Sequence, residues 1–205
     1  MEPMIYKPSI YKGAGIYKAG AEGGGELVKI GDSYYSTIKN NGIEWIASDL
    51  LFDANLTNAG KIPISSYTPA YWYINGDPFT NHFFYNHAAI EYFINNNVFQ
   101  DGWRVPFIED YNNLINSYDV IKLRSSYAWS TKNGTNESGF SLIGSGYFSE
   151  VNAPYFFNMN ELNNEWTQTL DGSRFKAVQF LSSSATEIIE PTTQRGYSLR
   201  LCRDM

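Results

Sequence analysis

Four side chains in the second half of the chain have the types and spacing best suited to binding: Tyr155, Phe156, Asn164 and Trp166. They belong to the run Asn152-Ala153-Pro154-Tyr155-Phe156-Phe157-Asn158-Met159-Asn160 and the nearby Asn163-Asn164-Glu165-Trp166. Aromatic faces stack on sugar rings or anchor protein contacts, and amides hydrogen-bond to hydroxyls. The pattern therefore predicts a ligand-contacting loop surface. The same rings could also fill the gaps of a strand-poor, loop-rich core. Tyr67, Tyr71, Trp72 and Tyr73 form a second cluster with the same two readings.

Catalytic chemistry has less to work with. His82 and His87 are the two histidines, and a spacing of five puts them on different faces of a helix. Cys202 is the single cysteine, so zinc has no thiolate set and no internal disulfide can form. Asp101, Glu109, Asp110, Glu161 and Glu165 could supply a carboxylate pair for glycoside hydrolysis, but their spacing singles out no pair. Gly20-Ala21-Glu22-Gly23-Gly24-Gly25 neither follows a strand nor opens a helix, so it is no phosphate cradle. The expectation is a non-enzymatic protein with no metal and no cofactor.

The elements that must position these residues are short. Leu27–Ile30 and Tyr34–Lys39 read as strands, and Asn40-Asn41-Gly42 as a hairpin turn into Ile43–Ala47. Residues 53–80 read as a long loop, rich in Asn, Gly, Pro, Ser and Tyr. A helix is predicted from Asn86 to Asn97. A second should start just after Pro106, where Phe107, Tyr111, Leu114 and Ile115 share a face. Beyond Ala128 the pattern predicts short strands and turns.

With 205 residues the chain can hold one domain plus an appendage. Aromatics are 17% and charged residues only 18%, so Asn, Ser, Thr, Tyr and Gly must cover much of the surface. A net charge of -6 argues against a nucleic-acid partner, which needs a basic footprint. No apolar run approaches the ~18 residues of a membrane span. The start, Met1-Glu2-Pro3-Met4-Ile5-Tyr6-Lys7, lacks the apolar segment of a secretory signal.

Residues 1–25 differ from the rest. Ile-Tyr-Lys recurs at Ile5-Tyr6-Lys7, Ile10-Tyr11-Lys12 and Ile16-Tyr17-Lys18, separated by Pro8, Gly13 and Gly15. Pro and Gly oppose a helix, so the pattern predicts an extended arm with a glycine hinge at Gly23-Gly24-Gly25. Exposed Ile and Tyr in a repeat mark a surface for a partner. Ile5, Tyr6, Ile10, Tyr11, Ile16 and Tyr17 are the predicted contacts, and residues 26–205 the globular body.

An ordered set of motifs spans about residues 27–204. Ile30-Gly31-Asp32 is followed by Trp45-Ile46-Ala47-Ser48-Asp49-Leu50, then Phe84-Tyr85-Asn86-His87-Ala88-Ala89, Gly102-Trp103-Arg104-Val105-Pro106, Asn133 to Phe140, and Gly196 to Asp204. This order resembles the Fibrobacter succinogenes major paralogous domain. The resemblance implies an α+β, C-type lectin-like fold with two helices, short antiparallel strands and long loops. On it Trp103 and Trp129 would be core rings, Gly139 a turn, and Pro106 a helix start. Arg104 and Arg200 would reach buried carbonyls or a carboxylate. The calcium-bridged sugar triplet of C-type lectins is not reproduced, because Glu190-Pro191-Thr192 lacks an amide or carboxylate at its third position.

Together these readings predict a bacteriophage virion protein, made without a signal peptide. Its arm would bind other virion proteins, and its body would serve as decoration or bind a host-surface glycan or protein. A homo-oligomer, such as a trimer through the arm, fits that role. The alternative is a bacterial cell-surface carbohydrate-binding module.

Overall fold

The computed structural model describes residues 26–60, 67–74, 82–149, 156–192 and 195–205. The predicted arm, residues 1–25, lies outside them, as does Tyr155. In chain order the elements are β1 (Leu27–Ile30), β2 (Ser33–Asn40), β3 (Ile43–Ile46), β4 (Thr57–Gly60), β5 (Ala70–Ile74) and β6 (His82–Tyr85). Then come α1 (His87–Asn95), α2 (Ile108–Ser117), α3 (Val120–Leu123), β7 (Tyr147–Ser149) and β8 (Phe156–Phe157). The chain closes with β9 (Leu162–Asp171), β10 (Arg174–Leu181), β11 (Thr186–Ile189), β12 (Arg195–Gly196) and β13 (Cys202–Asp204).

Local chemistry explains the first sheet, ordered β1-β2-β3-β13 and antiparallel throughout. Asn41 (φ 48°) and Gly42 (φ 80°) both adopt the left-handed conformation that a tight hairpin turn requires. Both faces of the sheet are covered. Trp45 and Ile38 pack toward α2, with the Trp45 and Tyr111 ring centroids 4.9 Å apart. Ile30, Tyr35 and Ile46 pack into a second cluster with Phe93 and Trp166. A strand buried on both sides loses its polar alternation, so Glu44 of β3 is itself buried. It accepts from Thr37 Oγ1 at 2.7 Å and from Arg203 Nε at 2.8 Å.

The helices begin where side chains satisfy their free N–H groups. Asn86 caps α1 by accepting from the Ala89 N–H at 2.9 Å. At the start of α2, Asp110 reaches back to the Phe107 N–H at 2.7 Å. Among the described residues three further sheets follow: β4-β5-β6, β12-β7-β8 and β11-β10-β9. A third cluster stacks Trp72 on Phe148, with centroids 4.1 Å apart and Phe84 alongside.

The expected α+β, C-type lectin-like fold is overturned. The described residues are mostly β, with 41% in strand and 15% in helix, and one of the three helices has only four residues. The excess strand comes from segments that read as loops. Residues 53–80 contain β4 and β5, which pair in parallel. The Asn-rich run after residue 160 is β9, ten residues long and buried over its first six. Polar residues read as exposed in a sequence, but they enter a core when each finds a partner. Asn163 Nδ2 donates to Ser145 Oγ at 3.0 Å, Gln179 Nε2 donates to Asn164 Oδ1 at 2.9 Å, and Thr167 Oγ1 donates to the Lys176 carbonyl at 2.8 Å.

The approach of β8 to the chain entering β7 depends on Gly146. Its φ is +71°, and a Cβ there would overlap the Phe157 carbonyl oxygen. Gly172, in the β9–β10 turn, has a similar φ of +58° but open space around it. Gly172→Ala should cost ~1 kcal/mol from backbone strain alone. Gly146→Ala should cost a further ~1–3 kcal/mol from the overlap. Urea midpoints of the two variants measure the difference, and equal midpoints would refute the close approach.

Candidate functional site

The strongest assembly of ionisable groups lies inside the body. Arg200, between β12 and β13, is buried, as are Asp49 after β3, Glu165 on β9 and His82 on β6. The Arg200 Nε and Nη2 each lie 2.9 Å from Asp49 Oδ1. Its Nη1 donates to the Phe140 carbonyl and its Nη2 to that of Ser141. The guanidinium also lies 4.2 Å from the centroid of the Phe140 ring. His82 Nδ1 contacts Asp49 Oδ2 at 3.0 Å. Glu165 stands off, its Oε1 3.5 Å from Arg200 Nε.

These positions set the protonation states. Burial raises the Asp49 carboxyl, but the Arg200 charge and the His82 contact outweigh it and hold Asp49 far below the usual carboxylate range. Burial and then the Asp49 charge push Glu165 well above its ordinary value of 4.5, with Arg200 offsetting only part. The two carboxyls are thus driven in opposite directions around one guanidinium, Asp49 toward the ionised form and Glu165 toward the neutral one. The group stitches five chain segments together and offers no charge to solvent.

A second ionic group ties the C-terminus to α2. Arg104 holds Asp110 at 2.6 and 3.2 Å and Asp204 at 2.9 Å. Its Nη1 is 3.1 Å from Cys202 Sγ. Burial and the Asp110 charge push the Cys202 thiol far up, so it stays protonated and a poor nucleophile.

The predicted ligand residues separate. Trp166 is fully buried on β9, and its indole donates to the Tyr85 carbonyl at 2.7 Å. Asn164 is buried against Gln179. Phe156 is half-buried and packs on Phe84 and Phe148. None of these three offers a flat surface to a ligand. Tyr71 and Trp72 of the second ring cluster are also buried, whereas Tyr67 is exposed. His82 and His87 go apart; His87 stacks on Phe175 at 4.9 Å and accepts from its N–H at 3.2 Å.

The residues read as architectural lie in or beside the core. Trp103 is buried under the Arg203 guanidinium, 4.7 Å from the ring centroid. Trp129 donates to the Leu142 carbonyl and faces the Arg124 guanidinium at 4.1 Å. Pro106 sits two residues before α2, and its carbonyl accepts from the Gln168 N–H at 2.8 Å. Gly139 has φ +74° and lies beside Ile38.

The surface offers a cleft of about 370 Å³, bordered by Ser130, Thr131, Asn158, Glu161, Ser182 and Ser183, with Leu162 and Leu181 also lining it. Bonds to backbone carbonyls fix its three walls. Thr131 Oγ1 donates to the Ser182 carbonyl at 2.7 Å, Ser182 N to the Glu161 carbonyl at 2.7 Å, and Ser130 N to the Asn160 carbonyl at 2.7 Å. Asn158, at φ 55°, accepts from the N–H groups of Glu161 and Leu162. The volume is at the small end of the range for ligand sites. Hydroxyls, one amide and one carboxylate around two leucines suit a polyhydroxylated molecule. Glu161 was one of five carboxylates the sequence offered; nothing in Ser130-Thr131 or Ser182-Ser183 marked them as its neighbours.

Among the described residues no group of three or more His, Cys, Asp and Glu is arranged to hold a metal ion, and no helix is long and apolar enough to cross a membrane. Compared with known proteins, the chain matches no family model, no curated protein and no solved structure.

Proposed function

We propose that this chain is a non-enzymatic attachment module of a bacteriophage virion, held to other virion proteins by residues 1–25 and presenting the Ser130–Asn158–Ser183 cleft to a host-surface glycan. One observation carries this reading: the Arg200, Asp49, Glu165 and His82 group is locked into the core, while the surface cleft is lined by hydroxyls, an amide and a single carboxylate. Its hydroxyls and the Asn158 amide match sugar hydroxyls in hydrogen-bonding capacity, and Glu161 can accept from two of them at once. The Ile-Tyr-Lys repeats support anchoring, because a solvated tail has no need of repeated Ile and Tyr.

Two measurements test the halves separately. On a glycan array, the intact chain should bind a subset of sugars, and Asn158→Gly with Glu161→Ala should lose about tenfold in affinity or more. Asn158→Gly keeps the left-handed backbone, so the fold is spared. Equal binding by both proteins would remove the cleft from the proposal. For the arm, deletion of residues 2–22 should abolish incorporation into particles; unchanged incorporation would remove the anchor.

A further inference from the structure

We infer that the outer edge of β11 is the seat for the Ile-Tyr-Lys arm of a second copy of this chain. This rests on the reading of residues 1–25 as a partner-binding strand and names the partner. β11 ends its sheet: among the described residues it pairs only with β10, in the order β11-β10-β9. Alternate backbone N–H and C=O groups of such a strand point away from the sheet, which is a template for an added strand.

The side chains specify what fits. Ile188 is 53% exposed, although its neighbour in the ladder, Val178, is buried. Glu187 and Glu190 are exposed beside it. Ile188 and Glu190 are two residues apart, so they lie on one side of an extended chain. Each repeat of the arm has the complementary spacing: Ile5 and Lys7, Ile10 and Lys12, Ile16 and Lys18. Laid parallel to β11, one repeat sets Ile against Ile188 and Lys against Glu190, an apolar and an opposite-charge pair on the same side.

Charge favours this edge over that of β1. Residues 1–21 hold Lys7, Lys12 and Lys18 against Glu2, a local +2, so the remainder of the -6 chain carries -8. β1, the outer strand of the first sheet, carries Lys29 where β11 carries Glu187, and would repel the repeats.

The test uses the full chain in solution, without particles or glycans, so its outcome is independent of anchoring and of the cleft. Light scattering should show an oligomer for the wild type. Glu187→Lys with Glu190→Lys should weaken association about tenfold or more, because like charges then face each other. Lys7→Glu with Lys12→Glu and Lys18→Glu should do the same, and the five changes combined should restore it. Rescue by the combined variant excludes misfolding as the cause. A monomeric wild type, or charge variants that associate as tightly as the wild type, would overturn the inference. So would hydrogen-exchange protection of 186–189 that is independent of protein concentration, since the arm would then be seated on its own chain.

Discussion

Arg200→Leu should cost about 3–5 kcal/mol of stability at neutral pH, the penalty for stranding a buried charge. A domain of this kind has ~5–15 kcal/mol in all, so the variant would stand near its folding limit. The guanidinium holds Asp49 through two contacts of 2.9 Å and also satisfies the carbonyls of Phe140 and Ser141. Leucine returns some apolar contact with the Phe140 ring but none of these bonds. The loss should shrink in acid. Asp49 has a folded pKa held far below its ordinary 3.8, so its stabilisation is present above that value and fades as pH falls through it. Without Arg200 that stabilisation is already gone, and a protonated Asp49 no longer strands a charge. Urea titrations at pH ~7 and pH ~3.5 should therefore show the gap between wild type and variant narrowing. A constant gap would mean that Arg200 acts by packing rather than by charge.

Glu165→Gln should stabilise the protein in alkali. Glu165 is buried beside the ionised Asp49, and its carboxyl is raised well above 4.5. The folded chain therefore keeps a proton that the unfolded chain releases above 4.5. The sign follows directly: this contribution is complete below 4.5 and is lost as pH rises toward the folded value, at about 1.4 kcal/mol per pH unit. Glutamine copies the shape of the neutral acid and has no proton to lose. At pH ~8 the variant should exceed the wild type by more than ~1.4 kcal/mol, and near pH ~4 the two should converge. Thermal midpoints across that range measure it. Parallel profiles would show that Glu165 is ionised in the fold.

What could be read from the chain is local. Asn41-Gly42 places a hairpin because few residues accept two successive left-handed conformations. Asn86 and Asp110 place two helix starts because the groups they satisfy are three residues away. β4, β5 and β9 were hidden for a different reason. Asn163, Asn164, Glu165 and Thr167 look like a loop, and only partners 9 to 35 residues distant, such as Lys176, Gln179 and Arg200, make it possible to bury them.

The candidate site divides in the same way. Composition and order alone showed an acidic, aromatic-rich body with a basic Ile-Tyr-Lys arm and one cysteine, because these are counts and spacings along the chain. The sequence alone could not say which rings face water. Trp166 and Phe156 are close in sequence and equally apolar, yet one is sealed in the core and the other only half covered. Burial depends on what the rest of the fold lays over a side chain. The cleft depends on it further still: residues 130–131, 158–162 and 181–183 meet only because bonds to backbone carbonyls across those gaps hold three walls in place.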